Sequence, residues 1–443
     1  MMSLQVTGGT PLHGSVRIGG AKNASFKLMI AALLGDTESR LLNFSHISDV
    51  SLVSNIIEYL GGTVTHAGER ALFIDPTHLN SAIINPEHGE QGRFSTMFIP
   101  ALLAKFGRAE VPTPGGDKIG VRPLDRHFDG LEAMGVVITH KDGMFIAEAK
   151  ELHGAKYRFS KNTHTGTETL IMAAVKAKGT TVLENAAVEP EIDDLITFLN
   201  SMGAKIKRTK PRTIEIFGVP SLHGAIHKLL PDRNEAVSYA CAALVTKGDV
   251  VIENAIPQHL TSFLEKLDVI GAGYEIGSYG IRFYYKGPLR ATDVTTAIEP
   301  GFMTDWQPLW GTVLTQCEGI STIHETIHPY RFHYVDALQA MGAQIEKFNP
   351  KVSNPESVYN FDLANDQPEH YHAIRVKGST QLRSGTFTVK DLRHGATLIC
   401  AAMAAQGTST ITGIEHIDRG YEALDDRLRS MGAAIERVKI NDK

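Results

Sequence analysis

The sequence predicts an α/β protein assembled from six copies of one small unit. A short phrase, an apolar residue followed by Gly and a small or β-branched residue, recurs at Leu60-Gly61-Gly62, Met134-Gly135-Val136, Met202-Gly203-Ala204, Ile270-Gly271-Ala272, Met341-Gly342-Ala343 and Met431-Gly432-Ala433. Its glycines lie 74, 68, 68, 71 and 90 residues apart. That spacing exceeds the ~20–50 residues of a solenoid repeat and suits a small α/β subdomain. Each phrase is also preceded by a helix pattern rich in Ala, Met and Leu and, for most copies, by a Val/Ile/Thr run.

The leading helices are predicted at Ser25–Leu34, Ser95–Phe106, Thr167–Lys178, Glu235–Lys247, Gln307–Cys317 and Arg393–Gln406. They are apolar over most of their surface, which implies burial rather than an amphipathic position. Gly or a polar turn closes them, as at Lys178-Gly179, Lys247-Gly248 and Gln406-Gly407, with Gly supplying positive φ. Strands are predicted at Thr180–Asn185, Asp249–Asn254, Ile320–Glu325 and Thr408–Gly413. A second helix then leads to the Gly phrase; in the last copy Tyr421, Leu424, Leu428 and Met431 recur at helical spacing. A further strand follows each phrase. The N-terminal strand Leu4–Thr7 precedes the first helix and is free to cross to the other half. The longer last interval is assigned to a polar surface excursion over 349–379.

A single core stops growing near ~250–300 residues, so three units per domain are expected, with a junction near Leu230-Pro231-Asp232. The net charge of −5 argues against a nucleic-acid binder held by bulk positive charge, though not against a small anionic substrate met by a few arginines. The cysteines, Cys241, Cys317 and Cys400, lie in apolar helical stretches with no metal or disulfide spacing, as in a reducing compartment. No run approaches the ~18 apolar residues of a membrane span, and a cytoplasmic protein is expected.

Four segments could carry chemistry. Gly19-Gly20-Ala21-Lys22-Asn23-Ala24-Ser25 opens the first helix and reads either as an anion cradle or as a helix start with a solvated lysine. The segment from Pro114 to Pro123 surrounds Asp117, Lys118 and Arg122 with Gly and Pro, in the manner of a functional loop or of a polar turn. Glu299–Gln307 places Asp305 just before a buried helix, as a cap or as a base for a substrate hydroxyl. Arg331, Arg393 and Arg419 stand beside small or apolar helix starts, where a guanidinium can grip phosphate or carboxylate bidentately. No P-loop, GxSxG or HExxH competes.

Together GGAKNA, GTET at Gly166–Thr169, NAAVEPEI at Asn185–Ile192, PDR at Pro231–Arg233, PGFMTD, ETIHPYRF at Glu325–Phe332 and HIDRGYE at His416–Glu422 resemble the enolpyruvyl transferases of the UDP-N-acetylglucosamine 1-carboxyvinyltransferase type, in order along nearly the whole chain. The resemblance implies a two-domain inverted α/β barrel with three units per domain. Residues 1–21 and 232–443 would form the catalytic domain, and 22–231 the other, carrying a mobile loop at 112–123. The active site would be the cleft between them.

It further implies transfer of the enolpyruvyl group of phosphoenolpyruvate to the 3′-hydroxyl of UDP-N-acetylglucosamine, at the entry to peptidoglycan synthesis, with no cofactor or metal. No nucleic-acid or membrane partner and a monomer or weak homo-oligomer are expected. By similarity Lys22, Arg122, Arg393 and Arg419 meet phosphoenolpyruvate, with Arg331 beside them, and Asp305 is the base. Asn23, Arg93, Arg122, Pro123, Leu124, Asp125, Arg126, His164 and Ile327 match positions that hold the nucleotide sugar. Repeats three and four are expected to supply mainly framework.

Two departures stand out. Asp117 occupies the position of the family's usual loop cysteine, the proton donor and target of fosfomycin, which implies turnover through Asp117 and insensitivity to the drug. Asn162-Thr163-His164-Thr165 replaces the usual Lys-x-Ser-Val-like segment, so the diphosphate contact is altered. An enolpyruvyl transferase with another nucleotide or nucleoside acceptor, and a non-catalytic UDP-sugar-binding paralogue, are the alternative readings.

Overall fold

The structure is a computed structural model that describes residues 2–89, 92–115 and 123–439. The chain divides into two compact units, Met1–Gly19 with Pro231–Lys443 (the C-terminal unit) and Gly20–Gly116 with Arg122–Leu230 (the central unit), each with its own apolar core.

Among the described residues there are six small open sheets, one per repeat, and none closes on itself. The central unit contains the order Ile226–Lys228, Ser39–Leu42, Ala71–Asp75, Thr63–Ala67; then Arg108–Pro112, Met144–Glu148, Val137–Lys141; then Lys156–Arg158, Thr180–Glu184, Thr213–Phe217, Lys205–Lys210. The C-terminal unit contains His13–Arg17, Asp249–Glu253, Gly280–Tyr284, Gly273–Gly277; then Val294–Thr295, Gly319–His324, Ala373–Gly378, Gln344–Phe348; then Thr386–Thr388, Thr408–Thr412, Met2–Thr7, Ala434–Lys439. In the third, fifth and sixth repeats a short strand, the leading helix and the next strand form a parallel βαβ step.

The first and fourth repeats exchange their opening strands. Ser39–Leu42 pairs in parallel with Ile226–Lys228, and Asp249–Glu253 with His13–Arg17. The chain therefore passes from one unit to the other twice. The Ala21 N–H donates to the Leu230 carbonyl (2.8 Å), and the Asp232 N–H donates to the Gly19 carbonyl (2.9 Å). Gly20 is required by a close approach: a Cβ there would lie 2.1 Å from the Asn43 carbonyl oxygen. The N-terminal strand Met2–Thr7 lies inside the sixth repeat's sheet, antiparallel to both neighbours.

The repeated glycine has one physical reason. Gly61, Gly135, Gly203, Gly271, Gly342 and Gly432 all take positive φ, between 82° and 104°, ending the second helix of each repeat in the left-handed region. The residue before each is buried at 0–1% exposure and pins that helix to the core. The leading helices are largely buried, and all thirteen residues of Arg233–Val245 are inside.

Three expectations need correction. The leading helices of repeats one and three start earlier than apolar periodicity predicts, at Lys22 and His164, because their first turns are polar yet packed. At Lys247-Gly248 it is Lys247 that takes positive φ, at 56°. Gly248 instead permits close contact, since a Cβ there would meet the Leu12 carbonyl oxygen at 2.3 Å. The span 349–379 is not all surface excursion: Ala373–Gly378 returns as an inner strand between Gly319–His324 and Gln344–Phe348, with Ala373, Ile374 and Val376 fully buried.

Candidate active site

In the C-terminal unit the three leading helices pack on one another. Asp305 sits in the turn before helix Gln307–Thr315, and neither it nor Thr304 caps that helix. The Gln307 N–H bonds the Thr304 carbonyl instead (3.3 Å), while the Thr304 hydroxyl donates to Glu325 Oε2 (3.0 Å). Asp305 is left to two arginines: Arg331 Nη2 lies 2.8 Å from Oδ1, and Arg393 Nη2 lies 3.1 Å from Oδ2. Burial pushes the Asp305 carboxyl up, but the Arg393 and Arg331 charges outweigh it and hold the group well below the usual carboxylate range. The side chains of Arg331 and Arg393 are 3% and 6% exposed, that of Asp305 24%, so the carboxylate is the member that reaches solvent.

Arg393 is fixed from several sides. It is the second residue of helix Leu392–Ala404, whose cap Asp391 accepts the Arg393 and His394 N–H groups (2.9 and 3.1 Å). Its Nη1 donates to the Tyr421 hydroxyl (2.9 Å), which is 2.6 Å from Ser238 Oγ on the fourth repeat's helix. Arg233, also on that helix, pairs with Glu299 (2.6 Å) in the segment leading to Asp305. The fourth repeat's helix thus supports the arginine cluster from behind, through Tyr421 and Glu299. Ile327 follows Glu325, whose Oε1 accepts the Ile327 and His328 N–H groups (2.8 and 3.1 Å). Arg419 is half-buried just past the short helix Glu415–Asp418.

The central unit gathers a second set. Lys22, the first residue of helix Lys22–Ala32, lies 3.1 Å from buried Asp49 and above the Phe26 ring. Phe26 packs on Phe94, next to Arg93. Arg93 and Arg126 both act on the buried His127, which burial, reinforced by these two charges, brings down to about 4. His127 Nε2 pairs with Thr165 Oγ1 (2.9 Å), beside His164 at the start of helix His164–Ala174. Arg93 and Arg126 thus act electrostatically on a histidine bonded to the residue after His164, while Lys22 is placed by Asp49 and Phe26. Asn23 follows Lys22 on the same helix start; Pro123, Leu124 and exposed Asp125 lead into helix Asp125–Ala133. Asp117 and Arg122 lie outside the described residues.

The chain's residues 6–428 match the model of the EPSP synthase (3-phosphoshikimate 1-carboxyvinyltransferase) family. The chain belongs to that family. It is 38% identical to a UDP-N-acetylglucosamine 1-carboxyvinyltransferase 2 of Geobacillus kaustophilus, over 100% of this chain and 98% of that one. It is 39% identical to a UDP-N-acetylglucosamine 1-carboxyvinyltransferase of Halothermothrix orenii, over 98% and 99%. In fold it is similar to the enolpyruvyl transferase NikO from Streptomyces tendae (TM-score 0.85, 23% identity, 99% of each chain) and to an EPSP synthase from Acinetobacter baumannii (TM-score 0.72, 16% identity, 99% and 100%).

Within this family member, His333, Asp391 and His394 bring potential metal-binding atoms within 4.8 Å of one another. The donor set does not suit a cation. His333 Nε2 is hydrogen-bonded to Asp391 Oδ2, and His394 Nδ1 accepts the Lys390 N–H (3.0 Å). That bond puts the His394 proton on Nε2 and leaves no lone pair for a metal. The trio instead braces the helix start that carries Arg393. No helix among the described residues is long and apolar enough to cross a membrane.

Sequence reasoning missed Asp49, Lys27, Glu168, Ser238 and Tyr421 as supports. Asp49 and Lys27 sit within helices with nothing local to mark them, since their partners come from distant segments. Arg233 and Tyr421 lay inside the motifs PDR and HIDRGYE, and those motifs were the available signal.

Proposed function

We propose that this family member transfers the enolpyruvyl group of phosphoenolpyruvate to the 3′-hydroxyl of UDP-N-acetylglucosamine and releases phosphate. The observation that carries the reading is Asp305, a deprotonated carboxylate at the mouth of a buried arginine pair, in a chain that matches carboxyvinyltransferases of this name from end to end.

The reaction adds the acceptor oxygen to the carbon bearing the phosphate while a proton goes to the methylene carbon; phosphate then leaves as the proton returns. Phosphoenolpyruvate carries a phosphate and a carboxylate, and Arg331, Arg393, Arg419 and Lys22 are the cations assigned to it, with Arg122 from outside the described residues. Asp305 accepts the acceptor hydroxyl's proton. Its two arginines make it a weak base as it stands. When the substrate's dianionic phosphate draws those guanidinium groups to itself, the carboxylate loses its stabilising partners and gains basicity. The same cations then stabilise charge on the departing phosphate. Asp117 is assigned as the proton donor to the methylene carbon. Asn23, Arg93, Pro123, Leu124, Asp125, Arg126, His164 and Ile327 are assigned to the nucleotide sugar.

A second reading, a different nucleotide acceptor, is favoured by one observation: the 162–165 segment opens a helix through Thr163 as cap and His164 as first residue, where the family's usual lysine-bearing pattern is missing. Phosphate release from phosphoenolpyruvate, measured with a panel of UDP-sugars and with UMP, tests both. Release strictly dependent on UDP-N-acetylglucosamine supports the first; release only with another acceptor supports the second; binding without release points to a non-catalytic protein.

A further inference from the structure

The fifth repeat carries a segment with no counterpart in the first four. In those, the two antiparallel strands after the Gly phrase are joined by short turns, at 68–70, 142–143, 211–212 and 278–279. In the fifth, residues 349–372 join Gln344–Phe348 to Ala373–Gly378. A turn of two or three residues closes such a hairpin, and a much longer connection ordinarily carries function. The segment is closed on itself. Asn349 spans its neck, with Nδ2 donating to the His370 carbonyl (3.1 Å) and Oδ1 accepting the His372 N–H (2.8 Å). Asp366 Oδ1 lies 3.0 Å from His370 Nδ1 and 3.2 Å from His372 Nε2, and also accepts the Gln367 N–H (3.0 Å). Tyr359 and Phe361 are buried, their rings 4.9 and 5.1 Å from that of His372.

The inner side of this segment meets one stretch of chain, from His324 to Tyr330. The Asn360 N–H donates to the Thr326 carbonyl (2.8 Å) and the Glu325 N–H to the His372 carbonyl (2.7 Å). The Tyr359 hydroxyl lies 3.2 Å from His324 Nε2. The His370 ring lies 5.2 Å from that of Tyr330, which stacks on His333 at 5.9 Å. These contacts bracket Ile327 and end beside Arg331, the arginine that holds Asp305. His333 in turn bonds Asp391, the cap of the helix that carries Arg393.

We propose that residues 349–372 brace the stretch Glu325–His333, and that Asp366 and His370 are positioning residues for Arg331. The proposal rests on the reading above that Arg331 meets phosphoenolpyruvate. Asp366 fixes the His370 ring, the ring confines Tyr330, and Tyr330 sets the backbone from which Arg331 extends. A long side chain grips an anion best when little of its freedom is left to lose on binding. Loosening the base of Arg331 therefore weakens the grip without removing a charge. Asn360 holds Thr326, next to Ile327, through a separate bond, so the acceptor side is spared when Asp366 is lost.

Steady-state kinetics compares wild type with Asp366→Ala, His370→Ala, Asp366→Asn and Lys351→Ala, the last at an exposed position of the same segment. Asp366→Ala and His370→Ala are each expected to raise KM for phosphoenolpyruvate about tenfold, with kcat and KM for UDP-N-acetylglucosamine within about twofold of wild type. Asp366→Asn keeps an oxygen acceptor and should recover most of the loss, and Lys351→Ala should change nothing. Hydrogen exchange of the backbone amides over 325–333 should quicken in both alanine variants, which reads the brace without turnover. If wild type releases phosphate while both alanine variants keep its KM for phosphoenolpyruvate, or raise KM for both substrates alike without rescue by Asp366→Asn, the brace is refuted and the transfer reading stands. If wild type releases none, the transfer reading fails, and unchanged exchange over 325–333 refutes the brace separately.

Discussion

Arg393 Nη2 lies 3.1 Å from Asp305 Oδ2, while Arg331 occupies the other carboxylate oxygen. The base of the proposed reaction is therefore neutralised by the groups assigned to the phosphate. Asp305→Asn keeps the size of the side chain and removes the proton acceptor. It is expected to lower kcat by about 10²–10⁴-fold, and steady-state kinetics with phosphoenolpyruvate checks this. The wild-type carboxyl stays ionised far below neutrality, so no acid limb of the kcat/KM profile near pH 4 should belong to it.

Glu235 is buried near the start of helix Arg233–Val245, with Oε2 accepting the Gly19 N–H (3.0 Å) and Oε1 paired with Arg427 (2.9 Å). Burial outweighs both partners and pushes the Glu235 carboxyl up to about 7. The folded state therefore holds a proton that the unfolded chain releases at about pH 4.3. Stability from this group is fully present below that unfolded value, declines as pH rises, and is gone above about 7, a change on the order of 3 kcal/mol. Glu235→Gln is expected to flatten thermal stability against pH in that window, as read by calorimetric unfolding. An unchanged slope would assign the dependence to other groups.

Phe263 touches Trp306 and Trp310 with ring centroids 5.9 and 5.6 Å away, directly behind the Asp305 turn. Truncation to Ala leaves a cavity and is expected to destabilise the C-terminal unit by about 3–5 kcal/mol. Denaturant unfolding should show the loss, and kcat should fall as the turn loosens.

By its resemblance to the UDP-N-acetylglucosamine carboxyvinyltransferases, Asp117 is proposed to stand in place of a reactive loop cysteine. A carboxylate is a poor nucleophile toward an epoxide, so fosfomycin is expected to leave no adduct on the wild-type chain. Asp117→Cys should gain a drug adduct and time-dependent inactivation. Intact-mass spectrometry after incubation distinguishes the two.

The sequence was most legible where backbone geometry repeats. The six repeated glycines all take the left-handed conformation, of the three closing glycines expected there Gly179 and Gly407 do and Gly248 does not, and the leading helices fall within about four residues of their expected spans. Periodicity failed at Lys22 and His164, because a polar first turn can be buried when its charges find partners on other helices. It failed at Ala373–Gly378 because prolines and polar residues upstream masked a short inner strand. The Asp305–Arg331–Arg393 grouping follows motifs that local sequence presents, and Glu168 lies within the GTET motif, whereas Asp49 and Ser238 act across 27 and 183 residues of chain and leave no local mark.

The most direct test of the account is identification of the product. The purified protein, given phosphoenolpyruvate and UDP-N-acetylglucosamine, should release phosphate in step with a new vinyl ether at the 3′-oxygen of the sugar, seen by NMR, and Asp305→Asn should form it far more slowly. Phosphate release without that ether, an ether on a different acceptor, or undiminished turnover in Asp305→Asn would contradict it.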